Sequence, residues 1–271
     1  MNERSAAVQS FIDMCELVTE LAGKKVQHPA AFASIYDAGF PSFNWYSRVC
    51  LDAFDADQLP EAASLLSESS LPLVSFTEGT VPDALIDHLK ELRYEPIVTQ
   101  TGMILDEEHL HALVSEMQTA GMQAAGTDGS SGSDAASALI RLRRPDMDAW
   151  SDTVARAFEK PDDRAAFYLM SERDDCYFYG YKENEGMIGT TLLYTKAGNA
   201  GLHEVGVFKE YRRRGIAAAM VRHALCQAVS GGAAFSTLQA SPTGKPLYES
   251  LGFREVSRIQ TWICPRKIPM P

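Results

Sequence analysis

Residues 203–221 constrain the fold most, because their pattern changes from strand to loop to helix within a short stretch. Val205, Val207 and Phe208 are β-forming residues and predict a strand. Residues 209–214 are polar or charged apart from a tyrosine, which predicts a surface loop. Apolar residues at helical spacing then predict a helix, and they are Ile216, Met220, Val221, Ala224, Leu225 and Ala228.

A helix that begins next to Gly215 would form a site for an anion. Its first backbone N–H groups have no acceptor within the helix, and the helix dipole adds positive charge at this end. Gly215 has no Cβ, so a phosphate could approach the backbone closely. Arg212, Arg213 and Arg214 add positive charge to a chain that is otherwise acidic. We interpret the segment as a pyrophosphate-binding loop; the alternative is a solvated basic turn.

Two common nucleotide-binding patterns are excluded. The dinucleotide pattern G-x-G-x-x-G needs three glycines, and this loop has one. The P-loop pattern G-x-x-x-x-G-K-[ST] is approached at Gly244-Lys245. Gln239 stands at the position of its first glycine, however, and Pro246 at the position of its final serine or threonine.

The pattern that does match is R-x-x-G-x-A, formed by Arg212, Gly215 and Ala217. It resembles the acyl-CoA signature [RQ]-x-x-G-x-[GA] of the GNAT superfamily of N-acetyltransferases. A second feature of that superfamily, Tyr-x-x-x-Gly-Phe, follows at residues 248–253. Because the two motifs occur in the right order and spacing, the chain is identified as a GNAT member by resemblance.

The resemblance implies where acetyl-CoA would bind. In the family, backbone groups at the splayed end of the central strand contact the pantetheine arm, and amides of the loop hold the pyrophosphate. A residue just after the next strand contacts the CoA arm. On this basis the cofactor-binding residues are expected to be Val205, Val207, Arg212, Arg213, Arg214, Gly215, Ile216, Ala217 and Ser241.

The reaction also needs a base. A lysine-like ammonium has a pKa of ~10.4, so losing its proton at neutral pH costs on the order of 4–5 kcal/mol. Glu204 and His203 lie on the central strand just before the loop and are the two candidates. Adjacent strand residues point to opposite faces, but a bulge, common in the family, would change which one faces the amine. The sequence leaves this choice open.

The leaving thiolate needs a proton donor. Tyr248 matches the family position whose phenol lies near the acyl-CoA sulfur, and a phenol is protonated at neutral pH. The alternative is a core tyrosine. The oxyanion is expected to accept a hydrogen bond from a backbone N–H near Val207.

The predicted fold class is α/β, an α+β mixed sheet, in two GNAT-like domains. Residues 121–137 are rich in Gly and Ser and predict a linker. The expected boundaries are 1–120 for an N-terminal domain, 121–137 for the linker and 138–271 for the catalytic domain. The element order predicted after the linker, β-α-α-β-β-β-α-β-α-β, is that of the GNAT fold.

The N-terminal half is interpreted as a degenerate copy of the C-terminal one. Residues 92–95 (LRYE) can be aligned with 251–254 (LGFR), each between a predicted helix and a predicted strand. Leu89 then falls opposite Tyr248. No R-x-x-G-x-A pattern occurs in residues 1–120. The alternative is an unrelated α/β domain.

Composition limits the partners. The net charge of −11 argues against nucleic-acid binding, which needs a basic surface. No apolar run predicts a membrane span, and the N-terminus lacks the pattern of a signal peptide. Five dispersed cysteines predict free thiols in a reducing cytoplasm. The sequence leaves a homodimer open.

Two pairs of neighbouring polar residues, one of histidines and one of aspartates, are not expected to form a functional site. His109 and His111 have no third ligand at suitable spacing, so no metal is predicted. Asp162 and Asp163 are expected to lie in a solvated loop or helix cap.

The predicted function is N-acetyltransfer from acetyl-CoA directly to a primary amine of a small molecule or protein. Direct transfer is favoured because the cofactor motifs contain no cysteine that could carry the acetyl group. The alternative is a non-catalytic acyl-CoA-binding sensor or interaction module. The sequence does not identify the acceptor.

Overall fold

The computed structural model describes residues 3–40, 43–52, 55–77, 81–119, 138–160, 163–184 and 186–268. The predicted linker 121–137 lies outside the described residues. Among the helices of the described ranges, none has the length and apolar character needed to cross a membrane.

The first part of the chain alternates helices and short strands. Its elements are α1 (Glu3–Leu21), β1 (Gln27–Ala30), β2 (Ala33–Tyr36), β3 (Arg48–Leu51), α2 (Leu59–Glu68), β4 (Leu73–Phe76), α3 (Asp83–Glu91), β5 (Glu95–Leu105) and α4 (Glu107–Thr119).

After residue 137 the elements follow the order predicted from the sequence. They are β6 (Ala138–Leu142), α5 (Met147–Phe158), α6 (Arg164–Met170), β7 (Cys176–Glu183), β8 (Gly186–Lys196), β9 (Asn199–Val207), α7 (Ile216–Ser230), β10 (Phe235–Ala240), α8 (Lys245–Ser250) and β11 (Arg254–Ile263).

The chain forms two compact units that are not continuous in sequence. The first consists of Met1–Gly102, Gln239–Lys245 and Glu255–Pro271, and the second of Met103–Leu238 and Pro246–Arg254. Two segments expected in the range 138–271 therefore group with the N-terminal residues. The division of the chain into two related domains stays a prediction.

The sheet of the first unit explains this grouping. Its strands follow the order β1-β2-β3-β4-β11-β5. β3 and β4 are parallel, whereas β11 pairs with β4 in the antiparallel sense, Gln260 opposite Phe76 and Ile263 opposite Leu73. A strand from near the end of the chain thus completes a sheet that begins near its start.

The second unit has a mixed sheet with the strand order β10-β9-β8-β7-β6. β9 and β10 are parallel, and the other neighbours are antiparallel. α5 packs on β8 and β9, and α7 packs on β7, β8 and β9. The ring of Trp150 is fully buried, edge-on to Phe167 and Phe178 at 4.7 and 4.8 Å, and its Nε1 donates to the carbonyl of Tyr179.

The sequence pattern of α7 predicted its buried face correctly. All six apolar positions named for it are buried. Gly215 caps its start and Gly231 its end. The helix therefore runs over the length that its apolar spacing indicates.

A similar turn ends α3 and α8. Arg93 and Gly252 adopt left-handed backbone with φ of 66° and 91°. The residue after each donates its N–H to a carbonyl five positions earlier, at 2.8 Å for Tyr94 and 3.0 Å for Phe253. This hydrogen-bond pattern is that of a Schellman turn, and it occurs at the two sites that the sequence alignment paired.

Candidate active site

One apolar cluster holds both ends of the loop that joins β9 to α7, residues 208–215. Val207 and Phe208 on the strand side are buried in it, together with Ile216 and Met220 on the helix side. Because both ends are fixed in the same cluster, the start of α7 has a defined position relative to the end of β9.

Gly215 leaves open space at the start of α7. Its φ is 77° and ψ is 0°, a left-handed conformation that glycine adopts at little cost. A Cβ added there would meet no atom within 4 Å. The first intrahelical bond at this end runs from the N–H of Ala219 to the carbonyl of Gly215. The N–H groups of Ile216, Ala217 and Ala218 come earlier in the helix and are available to an external acceptor. The start of α7 therefore has room and hydrogen-bond donors for a phosphate group.

Arg212 stabilises the loop by donating hydrogen bonds to two backbone carbonyls. Its Nε donates to the carbonyl of Val207 at 2.9 Å, and its Nη2 donates to the carbonyl of Ala157 at 3.0 Å. These bonds tie the loop to the ends of β9 and α5. The guanidinium expected to contact the cofactor is therefore directed in this structure at the protein backbone.

Arg213 and Arg214 make contacts that differ from those of Arg212 and from each other. Arg214 forms an ion pair with Glu183, 2.8 Å from Nη2 to Oε2, and lies 5.5 Å from the ring of Tyr211. Arg213 has a left-handed φ of 66° and is exposed. Arg213 makes no ion pair with any residue that the structure describes. Of the three arginines, it therefore has the charge most accessible to a bound anion.

The pairing between β9 and β10 stops before the end of β9. Its parallel pairing with β10 runs from Asn199 to Leu202, and β9 then continues to Val207 beside β8. The register with β8 shifts here, so that Glu204 and Val205 together lie opposite a single residue of β8. The sequence anticipated such a bulge, and it occurs at the candidate base.

Glu204 occupies the bulge in left-handed backbone, with φ of 48°. The hydroxyl of Thr190 donates to its carbonyl at 2.9 Å. Its carboxylate accepts hydrogen bonds from Lys160 Nζ at 3.0 and 3.1 Å. Lys160 Nζ also lies 3.3 Å from Asp163 Oδ2. The side chains of Lys160, Glu204 and Asp163 are 14%, 8% and 0% exposed, so this is a buried cluster of charges.

The ammonium of Lys160 stays charged in this cluster. Burial alone would lower its pKa, but the nearby carboxylates of Glu204 and Asp163 outweigh that effect and the pKa is raised. Asp163 occupies the N-cap position of α6, in keeping with the expected helix cap, but the expectation that it is solvated is wrong. Its side chain makes no capping hydrogen bond and lies instead beside the ammonium of Lys160.

The other predicted residues of β9 flank the bulge. His203 lies opposite Leu192 on β8 and is half-buried. Val205 is half-buried, whereas Val207 is buried in the apolar cluster. The strand therefore brings the two candidate bases and both valines together, directly before the loop.

An exposed aromatic side chain covers this strand end. Phe158, the last residue of α5, is 42% exposed. A Cβ added to Gly206 would come within 2.7 Å of the Phe158 ring and 3.0 Å of Ala157 Cβ. Glycine at this position thus allows α5 to approach β9 closely.

Tyr248 is buried on α8. Its ring contacts Phe253 edge-on, with centroids 5.9 Å apart. Burial raises the pKa of its phenol, so the hydroxyl remains a donor well beyond neutral pH. Tyr248 belongs to the same compact unit as β9 and α7.

Ser241 follows β10 and belongs to the other compact unit. Its Oγ accepts the N–H of Gly244 and lies 3.2 Å from Thr243 Oγ1, a turn-stabilising arrangement. Its expected contact with the CoA arm stays a prediction.

No cluster of three metal-ligating side chains occurs within the described ranges of the chain. His109 instead lies 2.7 Å from Asp106, which raises the pKa of the histidine through a hydrogen bond.

Sequence reasoning missed Lys160, Phe158 and Gly206. The charged run that contains Lys160 was visible after the predicted helix, but such runs are usually solvated. Nothing in a one-dimensional pattern shows that a lysine 44 residues before Glu204 will be its partner.

Comparison with known proteins supports the motif assignment. Residues 174–255 match a family model described as an acetyltransferase (GNAT) domain. This range contains β9, the loop, the start of α7 and Tyr248. No curated protein matches the chain.

Solved structures resemble the fold over most of the chain. A GCN5-related N-acetyltransferase from Kribbella flavida has a TM-score of 0.61 at 15% identity, covering 94% of this chain and 95% of that one. A functionally unknown conserved protein from Staphylococcus epidermidis has a TM-score of 0.62 at 13% identity, covering 89% and 93%. A GCN5-related N-acetyltransferase from Sphaerobacter thermophilus has a TM-score of 0.52 at 16% identity, covering 85% and 76%. The chain therefore has a mixed α/β GNAT-like fold, and within it residues 174–255 are similar to a GNAT acetyltransferase domain.

Proposed function

We propose that this protein transfers an acetyl group from acetyl-CoA directly to a primary amine of a small molecule or protein. The observation that carries the proposal is the start of α7. Gly215 leaves room for a phosphate beside unpaired helical N–H groups, within the segment that matches the GNAT domain.

In this proposal the loop binds the pyrophosphate. Backbone N–H groups at the start of α7, among them those of Ile216 and Ala217, donate to phosphate oxygens. The exposed guanidinium of Arg213 adds charge, and Arg212 shapes the loop through its backbone contacts. Backbone groups of Val205 and Val207, beyond the end of the β10 pairing, hold the pantetheine arm.

The transfer requires one bond to form and one to break. The lone pair of the amine nitrogen attacks the thioester carbonyl carbon, and the carbonyl π electrons move to its oxygen. The C–N bond forms, and the carbon–sulfur bond breaks as the carbonyl is restored. The nitrogen loses a proton to a base, and the leaving thiolate gains one. The products are the N-acetyl amide and free CoA.

Side chains of the same compact unit can supply these proton transfers. Tyr248 is proposed as the donor to the thiolate, since burial keeps its phenol protonated. Glu204 and His203 are the candidates for the base, and both lie on β9 just before the loop. A backbone N–H near Val207 would stabilise the oxyanion.

One observation favours a second function, a non-catalytic acyl-CoA-binding module. The carboxylate of Glu204 is largely buried and already accepts two hydrogen bonds from Lys160, so both of its oxygens are engaged within the protein. Such a module would keep the loop and need neither base nor acid.

Thiol release from acetyl-CoA in the presence of a panel of primary amines separates the two functions. The panel would include polyamines, amino sugars, arylalkylamines and peptide N-termini. We expect turnover with at least one amine, and Tyr248→Phe should lower kcat by about 100-fold, typical of a lost general acid, without changing acetyl-CoA affinity. Binding of acetyl-CoA without turnover on any amine would favour the module.

We also propose that residues 1–120 are a degenerate GNAT-like copy that lost the cofactor loop. The equivalent turns after α3 and α8 support this, as does the parallel strand pair in each unit.

The five cysteines are free, which fits the proposed location in a reducing cytoplasm.

A further inference from the structure

The lysine buried beside the β9 bulge has no role in the proposed transfer so far. Lys160 follows the end of α5, its partner Glu204 lies in the bulge, and Asp163 directly precedes α6. The three charged groups therefore connect three separate elements at one buried point. Burying charges opposes folding unless they are paired closely, so the pairing holds these groups in one arrangement.

Hydrogen bonds fix the orientation of Glu204 at three of its oxygen atoms. Its backbone conformation is one that residues with a Cβ rarely adopt. Thr190 holds its carbonyl, and Lys160 holds both oxygens of its carboxylate. The carboxylate is thereby kept at the bulge, one residue before Val205, where β9 no longer pairs with β10.

Several charged groups lie around this point. The ammonium of Lys160 is shared between the carboxylates of Glu204 and Asp163. On the elements nearby, Glu159 pairs with Lys209 at the surface. Arg156 and Glu210 form a second exposed pair, and His203 is the adjacent titratable group on β9.

We propose that Lys160 is a positioning residue for the acetyl transfer: it holds the carboxylate of Glu204 in one orientation at the bulge, and from there Glu204 accepts the proton of the attacking amine. This inference rests on the proposed function, because it selects Glu204 over His203 as the base. Lys160 itself touches neither the amine nor the thioester in this scheme.

The pH dependence of turnover tests the proposal with two variants of opposite sign. Lys160→Met removes the cation, so the acidic limb of the pH–rate profile should move to higher pH by about one unit or more. Asp163→Asn removes the neighbouring anion, so the limb should move to lower pH. The substrates are acetyl-CoA and the amine from the panel that gives the fastest thiol release.

Two further variants serve as controls. Lys160→Arg keeps the positive charge and should keep the limb within a few tenths of a unit of wild type. Lys90→Met removes a lysine whose ion pair with Asp87 is exposed and lies outside the loop, and it should leave the limb at its wild-type position. The acetyl-CoA dissociation constant should stay within about twofold in all four variants, since none of the altered side chains belongs to the proposed phosphate site.

The outcomes distinguish this inference from the proposed function. If wild type acetylates no amine, both fall. If wild type is active but the limb stays in place in Lys160→Met and in Asp163→Asn, the positioning role alone is overturned. Should Lys160→Met fail to fold, the downward shift in Asp163→Asn together with the unchanged limb in Lys160→Arg remains the test, and an unshifted limb in Asp163→Asn overturns the inference.

Discussion

Arg212, Arg213 and Arg214 are adjacent in sequence but have different contacts. Arg212 donates to backbone carbonyls, Arg214 pairs with Glu183, and Arg213 is exposed. The motif identified the loop to which all three belong. It could not assign their contacts, because the carbonyl of Ala157 is brought to Arg212 only by the packing of α5 against β9.

This difference predicts opposite phenotypes for two neighbouring alanine variants. Arg212→Ala leaves two half-buried carbonyls without donors and should lower the free energy of unfolding by about 1–3 kcal/mol. Arg213→Ala should leave stability within about 0.5 kcal/mol of wild type and weaken acetyl-CoA binding by about tenfold, as expected for a lost charge-assisted contact. Urea unfolding and calorimetry measure the two effects. Equal destabilisation by both variants would contradict the assigned contacts.

Glu204 could be selected as a site residue from the sequence, whereas its pairing with Lys160 could not. Glu204 could be selected because its position relative to the loop motif is fixed along one strand. Its bulge was anticipated from the family and is present. The pairing with Lys160 could not be predicted, because it depends on the close approach of α5 to β9 at Gly206.

At the scale of elements, strongly patterned segments were predicted within a few residues. The strand before the loop and the helix after it, β9 and α7, are examples, and the apolar positions named for α7 are all buried. β1 and β2 were not predicted. β1 is largely exposed and contains Pro29, so it lacks the apolar alternation by which strands are recognised.

The turns after α3 and α8 differ in one residue, and this predicts a stabilising substitution. Arg93 holds a left-handed conformation that Gly252 adopts without a Cβ. Arg93→Gly should raise the free energy of unfolding by about 0.5–1 kcal/mol. Gly252→Arg should lower it by at least about 1 kcal/mol, since a Cβ there would also come within 3.3 Å of Leu105. Thermal unfolding of both variants measures the contrast, and a destabilised Arg93→Gly would refute the equivalence of the turns.

At the scale of the molecule, the partner of β11 was the feature that sequence reasoning could not supply. The strand itself was predicted, but its pairing with β4 joins residues nearly 190 positions apart, as in the Ser75–Thr261 hydrogen bond at a separation of 186. Strand patterns indicate which faces are buried and do not specify the neighbour. The compact units therefore differ from the ranges expected along the chain.

The composition of residues 121–137 predicts where the chain is cut first. Gly- and Ser-rich segments between structured regions are preferred sites of proteolysis. Brief digestion with thermolysin or elastase, followed by mass spectrometry, should place the earliest cleavages within this range. Earliest cleavages within α4 or β6 would argue against a domain boundary there.

Binding of acetyl-CoA to wild type, Gly215→Glu and Gly232→Glu tests whether the start of α7 is the phosphate site of the cofactor. Both glycines have left-handed backbone, φ of 77° and 85°, and an added Cβ at either meets no atom within 4 Å. The two variants therefore carry matched strain and charge at opposite ends of α7. We predict micromolar binding by calorimetry to wild type and Gly232→Glu, and its loss in Gly215→Glu, whose carboxylate would occupy the phosphate site. A well-folded wild type that does not bind acetyl-CoA, or a Gly215→Glu variant that binds it as tightly as wild type, would contradict the account.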